Sequence, residues 1–308
     1  MAFVKAKRAK VWVKVQFVGT SGSGKTTSAL LIADGLAKKM NSGIAFISTE
    51  KSRTMYNADK FDYDVEELTD YSPESYIKAI DEAIDAGYKV IIIDSTSHGW
   101  QWLNDTHSKM PGNSFQNWGK LKPRWANFMR KILECPAHVI TCARGKTEWA
   151  MEEKNGKQTP VKVGLGSEGD KQSDFEYTVS FMLAQGTHIA SVNEGGKDNT
   201  GLFEDKYEVI TRKHGEMLYD WANSGDAAPV AYKDPMAQDI SGVGKAELDL
   251  VDIKKEIVSL CVALGGQKNE KLMTELKKVV PNGNPNAIKS VEKAKGLLAT
   301  LKAMKTDE

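Results

Sequence analysis

Cysteine is scarce in this chain: three residues in 308, Cys135, Cys142 and Cys261, form no C-x-x-C pair and leave an odd thiol. That pattern excludes a disulfide framework and a cysteine zinc site, and it suits a reducing compartment. Long apolar runs are lacking too, since none approaches the ~18–20 residues of a membrane span. The N-terminal MAFVKAKRAKVWVKV interrupts every short apolar stretch with charge, which excludes a signal peptide. A soluble cytoplasmic protein, with no membrane partner, is expected. Charge of one sign is also missing: the net charge is +1, so any nucleic-acid surface must be local. What remains is an ordinary globular composition, 41% hydrophobic and 27% charged, long enough for a main domain and a small one.

Apolar runs and helical periods alternate over the first two thirds. Residues 11–18 read as a strand entering a glycine loop, 26–40 as a helix, and 44–47 as a short buried strand. Ser72-Pro73-Glu74 starts a helix that ends at Gly87, with Ser72 as N-cap. Residues 90–93 form a β-branched run that stops on Asp94. A helix from about Pro123 leads to a strand at 138–142. This rhythm predicts an α/β fold with a mainly parallel sheet. Asn155-Gly156 then signals a hairpin between 147–154 and 157–163. Further strands are expected at 177–183, 189–192 and 207–211, with Trp221 closing the region. The expected boundaries are a core over 1–223, a linker over 224–244 rich in Gly, Ala, Pro and Asp, and a small helical domain over 245–308.

Gly19-Thr20-Ser21-Gly22-Ser23-Gly24-Lys25-Thr26 fits G-x-x-x-x-G-K-[ST] in full. The glycines let backbone N–H groups wrap phosphates, and the following helix, from Thr26 and Thr27, adds its dipole. Lys25 is expected to reach the β- and γ-phosphates, and the Thr26 hydroxyl to ligate Mg²⁺. Asp94, emerging from its buried strand, is the natural second anchor for the metal. The ligand expected is therefore Mg-ATP. Glu50 ends the strand 44–50, which is expected to neighbour the P-loop strand. There it reads either as a general base for water or as a surface glutamate opening the next helix.

These residues together resemble the RecA-type branch of P-loop ATPases. That branch carries its catalytic glutamate at the tip of the strand after the P-loop helix, as IAFISTE does with Glu50, and its Walker B strand ends in Asp-Ser, as at Asp94-Ser95. More narrowly, Arg144-Gly145-Lys146-Thr147-Glu148-Trp149, Pro160-Val161-Lys162-Val163-Gly164 and Glu176-Tyr177 are similar to phage-encoded RecA-core ATPases of the single-strand annealing and recombination group. The resemblance covers roughly residues 10–222. It implies a RecA-like core, ATP hydrolysis stimulated by DNA, single-stranded DNA and further copies of the chain as partners, and a single-strand-binding protein as another. Two departures stand out. The P-loop begins at residue 19, leaving little room for an N-terminal assembly segment. The strand His138-Val139-Ile140-Thr141-Cys142-Ala143-Arg144 lacks the family's phosphate-sensing glutamine, so Arg144 or Lys146 is expected in that role. By the same resemblance, Arg212 and Lys213 are expected to reach a neighbouring subunit's nucleotide.

Between residues 97 and 131, six basic residues face a single acid, Asp105, and four of the chain's seven tryptophans lie there. Basic side chains track a phosphate backbone while aromatic rings stack on bases. Trp125, Phe128, Met129 and Ile132 share a helical face and read as core. The expected DNA contacts are Lys109, Phe115, Trp118, Lys120 and Lys122, placed in a loop, with Lys146 and Trp149 of the hairpin as a second group. Trp100 and Trp102 fit neither a helical face nor a core stripe. His98, His107 and His138 have no metal-ligand spacing and read as structural. The functional expectation is an ATP-dependent recombinase or annealing ATPase on single-stranded DNA. The alternatives are a helicase-type motor and a nucleotide-gated scaffold without significant turnover.

Overall fold

The computed structural model describes residues 5, 7–154, 157–170, 176–192, 196–204, 206–225, 245–266 and 269–306, with backbone alone at 52, 147–154, 157–165, 245–249, 251, 252, 255, 305 and 306. The chain forms two compact units, residues 1–238 and 239–308. Of the expected linker, residues 226–244 lie outside the described residues, as do Asn155 and Gly156.

The first unit runs β1 (Lys14–Gly19), α1 (Lys25–Met40), β2 (Ile44–Ser48), a 3-10 turn (Lys51–Asn57), β3 (Asp64–Glu67), α2 (Pro73–Asp85), β4 (Val90–Asp94), α3 (Thr96–Lys109) and α4 (Ser114–Glu134). It continues with β5 (His138–Lys154), β6 (Lys157–Ser167), β7 (Val179–Leu183), β8 (Ile189–Ser191), β9 (Lys197–Asp198), β10 (Tyr207–Val209) and α5 (Arg212–Ala222). The strand order is β10-β8-β7-β1-β5-β4-β2-β3. The β7-to-β3 stretch is parallel throughout, while β8, β9 and β10 add antiparallel edges and β6 folds back on β5 as a hairpin. This is an α/β fold with a mainly parallel central sheet.

One expectation is corrected here. β2 does not neighbour β1, because β5 and β4 lie between them. β5 pairs along the whole of β1, from Lys14 opposite Val139 to Gly19 opposite Arg144, and β7 takes the other edge, so no edge is left for β2.

Every residue of β1 and β4 is buried, as strands covered on both faces should be. Val15, Phe17, Leu30, Ile32, Ala33 and Leu36 have no exposed surface, and each larger one contributes about 1.5–3 kcal/mol by burial. α1 crosses α5 at two glycines. A Cβ on Gly35 would collide with the Arg212 carbonyl, and one on Gly215 with the Ile32 carbonyl. That requirement put a weak helix former in the middle of α5, where the sequence signalled no helix. The capping box between Thr211 and His214 compensates by satisfying its first turn.

Lys109, Phe115, Trp118, Lys120 and Lys122, expected in a loop, stand instead on helices. Lys109 ends α3 and the other four lie in α4, with only a short link between the two helices. Pro123 lies inside α4 rather than at its start, and Asn113 is the true N-cap, its Oδ1 accepting from Phe115 N (2.8 Å) and Gln116 N (3.4 Å). Ser72 also departs from expectation. It stands at the N-cap of α2, but its hydroxyl bonds the Asp70 carboxylate (2.5 Å) and Ser75 Oγ (2.9 Å) instead of the helix backbone.

His138 opens β5 with 1% exposure, edge-on to the Trp12 ring at 5.0 Å. Its Nδ1 accepts from Val13 N at 3.1 Å, which requires a neutral ring. Burial, reinforced by the Lys14 charge, pushes its pKa down to about 3. Above the unfolded value near 6.5 this costs nothing. Below it, the unfolded chain takes a proton that the folded one refuses, so stability falls as pH falls, by about 2 kcal/mol between pH 6.5 and 5. His138→Asn keeps an acceptor without that proton. Urea unfolding followed by tryptophan fluorescence at pH 7 and pH 5 will show a smaller acid loss in the variant; an equal loss would remove His138 as its source.

The second unit holds α6 (Lys245–Ala263), α7 (Glu270–Val279) and α8 (Val291–Thr306) around Ile257, Leu260, Leu264, Leu272, Leu276, Val280, Ile288, Ala294, Leu297 and Leu301. Gly265 and Gly266, both at positive φ, stop α6, and Asn269 caps α7 through a bond from Leu272 N (3.1 Å). Among the described residues of both units, no helix is long and apolar enough to cross a membrane.

Candidate nucleotide site

The site lies at the ends of β1, β2, β4 and β5, where the loops leave the parallel sheet. Its cavity, about 540 Å³, is lined by Gly22, Gly24, Lys25, Thr26, Thr27 and Ser21 from the P-loop side. Glu50, Arg53, Thr54, Asp94, Ser95, Arg144 and His188 line the remainder. A volume of this size accommodates a nucleotide.

The loop between β1 and α1 is built to receive an anion. α1 has no side-chain cap and no acidic residue in its first turn, so its N–H groups and dipole are uncompensated. Gly24 sits at φ 95°, and a Cβ there would come within 3.0 Å of His188 Nδ1. Both the dihedral and the imidazole demand glycine. Thr20 Oγ1 and Ser23 Oγ are buried in this loop without a hydrogen-bond partner. Lys25 Nζ donates to the carbonyls of Gly19 and Thr20, each at 2.9 Å, which holds its ammonium at the cavity. Gly19 itself is buried beneath this loop, its carbonyl spent on that ammonium.

Thr26 Oγ1 donates to Asp94 Oδ2 at 2.6 Å. A hydroxyl and a carboxylate, both hard oxygen donors, thus stand side by side, which fits a magnesium ion sharing its shell with phosphate oxygens and water. Asp94 is 4% exposed. Burial pushes its carboxyl up, and Glu50 adds to this, against the Thr26 hydrogen bond and the charges of Lys25 and Arg144.

Glu50 reaches the cavity although its strand lies three places from β1. Its Oε1 is 3.3 Å from Arg144 Nη2 and 3.8 Å from His98 Nε2, and its Oε2 is 3.7 Å from Arg53 Nη1. Arg144 stands where β5 leaves the parallel sheet, half exposed into the cavity. Sequence reasoning missed Arg53, His98 and His188. Only His188 had a local signal, a turn between two short strands. It stands at positive φ with its Nδ1 3.0 Å from the Ser23 carbonyl.

The expected DNA contacts are distributed differently from the sequence reading. Lys109 is exposed at the end of α3. Phe115, Trp118 and Lys122 follow i, i+3, i+7 spacing and share a face of α4, from which Lys120 is turned away. Phe115 is 87% exposed. Trp118 is half-buried in a ring ladder, 4.4 Å from His107 and 6.0 Å from Trp100. Trp100 meets Trp125 edge-on, and Trp102 lies under the Arg124 guanidinium at 4.7 Å, which accounts for both tryptophans as packing residues. Trp125, Phe128, Met129 and Ile132 are buried. Lys146 is exposed on β5, apart from this group, and the Trp149 side chain lies outside the described residues. Arg212 pairs with Asp34 of α1 and lies over the Phe61 ring, while Lys213 is exposed beside it.

A family described as "AAA domain" matches residues 12–197. No curated protein matches the chain. Among solved structures, the KaiC-like protein PH0186 from the hyperthermophilic archaeon Pyrococcus horikoshii OT3 is 13% identical, covering 64% of this chain and 83% of that one, with a TM-score of 0.38. The family match spans more than half of the chain and contains the P-loop, Glu50, Asp94 and Arg144: the protein belongs to the AAA-domain family of P-loop ATPases.

Proposed function

We propose that the protein hydrolyses Mg-ATP and couples that hydrolysis to single-stranded DNA, as a recombinase or annealing ATPase of the phage-encoded type. The observation that carries the ATPase part is the convergence of Lys25, the Thr26–Asp94 pair, Glu50 and Arg144 on one cavity. In this reading the α1 N-terminus and Lys25 hold the phosphates. Thr26 and Asp94 hold Mg²⁺, which neutralises phosphate charge when bound. Glu50 orients water and takes its proton, and Arg144 with Arg53 supplies positive charge at the far wall. Lys213 is the better candidate of its pair for a neighbouring subunit's nucleotide, since Arg212 is already committed to Asp34.

The DNA part is supported by position and chemistry. α3 begins two residues after Asp94, so the basic, ring-bearing α3–α4 face is tied directly to the metal-anchoring strand. ATPase turnover measured with and without single-stranded DNA across a salt series tests this. Stimulation is expected, with log affinity falling against log salt at a slope of about −1.4 if Lys109 and Lys122 each meet one phosphate. Turnover unaffected by DNA, with no salt-sensitive binding, would sink the DNA reading and leave the ATPase. A nucleotide-gated scaffold is the second reading, and one observation favours it: Glu50 is held by two guanidinium groups rather than standing free.

A further inference from the structure

We propose that His98 is the positioning residue for Arg144, and that this pair lets the site distinguish a nucleoside triphosphate from a diphosphate. The inference rests on the reading that the cavity takes ATP. Arg144 Nη2 lies 2.6 Å from His98 Nε2. A guanidinium has no acceptor, so Nε2 must accept, and the ring proton then resides on Nδ1. Nδ1 donates to Thr49 Oγ1 at 2.6 Å, and the same Oγ1 accepts from Ser95 N at 2.8 Å. This relay ties together the ends of β2 and β4, the first turn of α3, and β5. The Tyr71 ring stacks on the imidazole at 5.3 Å and fixes its plane.

Arg144 is therefore anchored from behind by a neutral acceptor while the same nitrogen faces Glu50 Oε1 at 3.3 Å. A terminal phosphate is the one group that a triphosphate has and a diphosphate lacks. With Arg144 pinned at His98, that phosphate competes with Glu50 for the guanidinium and frees the carboxylate. Without the anchor, a long flexible side chain settles on Glu50 and loses that choice. The groups facing His98 are Thr49 and Glu50 beyond β2, Tyr71 before α2, Arg144 on β5 and Glu168 after β6. Burial and the Arg144 charge push its pKa below the ordinary value, so the acceptor persists at neutral pH. A protonated ring would instead meet Arg144 as a like charge.

The experiment compares the full chain with His98→Leu and His98→Gln, whose amide oxygen can occupy the Nε2 position. Dissociation constants for ADP and a non-hydrolysable ATP analogue are measured with Mg²⁺ between pH 5.5 and 8, beside kcat and KM. His98→Leu is expected to lower the preference for triphosphate and the kcat about tenfold each, with ADP affinity within twofold of the parent. His98→Gln is expected to restore the preference and to depend less on acid than the parent does. An unchanged preference in His98→Leu, or a failure of His98→Gln to restore it, would overturn the proposal. If the parent binds both nucleotides but hydrolyses neither, the hydrolysis reading fails while the affinity ratio still decides this one. If it binds neither, both fail.

Discussion

Lys25→Ala will lower kcat/KM for ATP by about 10²–10⁴-fold, which is what losing two charge-assisted hydrogen bonds of about 1.5–3 kcal/mol each would do. The ammonium is half-buried and bonded to the Gly19 and Thr20 carbonyls, both part of the loop that must wrap the phosphates. Removing it leaves the loop's N–H groups in place but takes away its one full positive charge. Arginine will not restore activity, because its planar fork cannot enter a space shaped for a compact ammonium. The measurement is steady-state ATPase together with equilibrium nucleotide binding. An alanine variant that binds ATP within threefold of the parent would remove Lys25 from the phosphate site.

Glu50→Gln will lower kcat by about 10²–10⁴-fold, the usual contribution of a positioned general base. The shape is kept and only the proton acceptor is lost, so ATP binding should survive. Binding should even tighten, since the carboxylate will no longer compete with phosphate for Arg144 and Arg53. Single-turnover hydrolysis and equilibrium binding, run on the same preparation, separate the two effects. If the glutamine variant hydrolyses ATP at the parent's rate, Glu50 is not the base and the nucleotide-gated scaffold becomes the better description.

The parts of this site that could be read from the sequence are those whose chemistry needs contiguous residues. A run of glycines before a lysine and an acid that ends a buried apolar strand are both contiguous signals, so the meeting of 19–26 and Asp94 at one cavity was legible. Glu50 was placed at the right strand end but beside the wrong neighbour, because sequence order does not say which strand will insert where. Arg53, His98 and His188 come from three separate segments, and only topology brings Arg53 and His188 to one cavity and sets His98 behind its Arg144. The helical character of 96–122 was hidden by Gly99 and by Pro123. Gly99 is small because a Cβ would approach the Tyr76 ring at 3.0 Å, and Pro123 is tolerated inside a helix of 21 residues. α5 was hidden in the same way by Gly215, whose absent side chain serves packing against α1. In each case a tertiary contact overruled a local preference.

The place of β5 between β1 and β4 also sets an order of events during synthesis. Both partners of β1 come from residues 138 and beyond, so the strand that carries the phosphate loop emerges long before anything can pair with it. At the ordinary elongation rate of about 5–20 residues per second, it waits about 6–24 s as an unpaired apolar segment. Over that interval β2, β3 and β4 can assemble from residues already made, leaving an open edge on β4 for β5 to fill. The nascent chain therefore presents unpaired edges on β1 and β4 at once, an obvious target for a holding chaperone, until β5 joins the two strands and β7 later covers the remaining edge of β1.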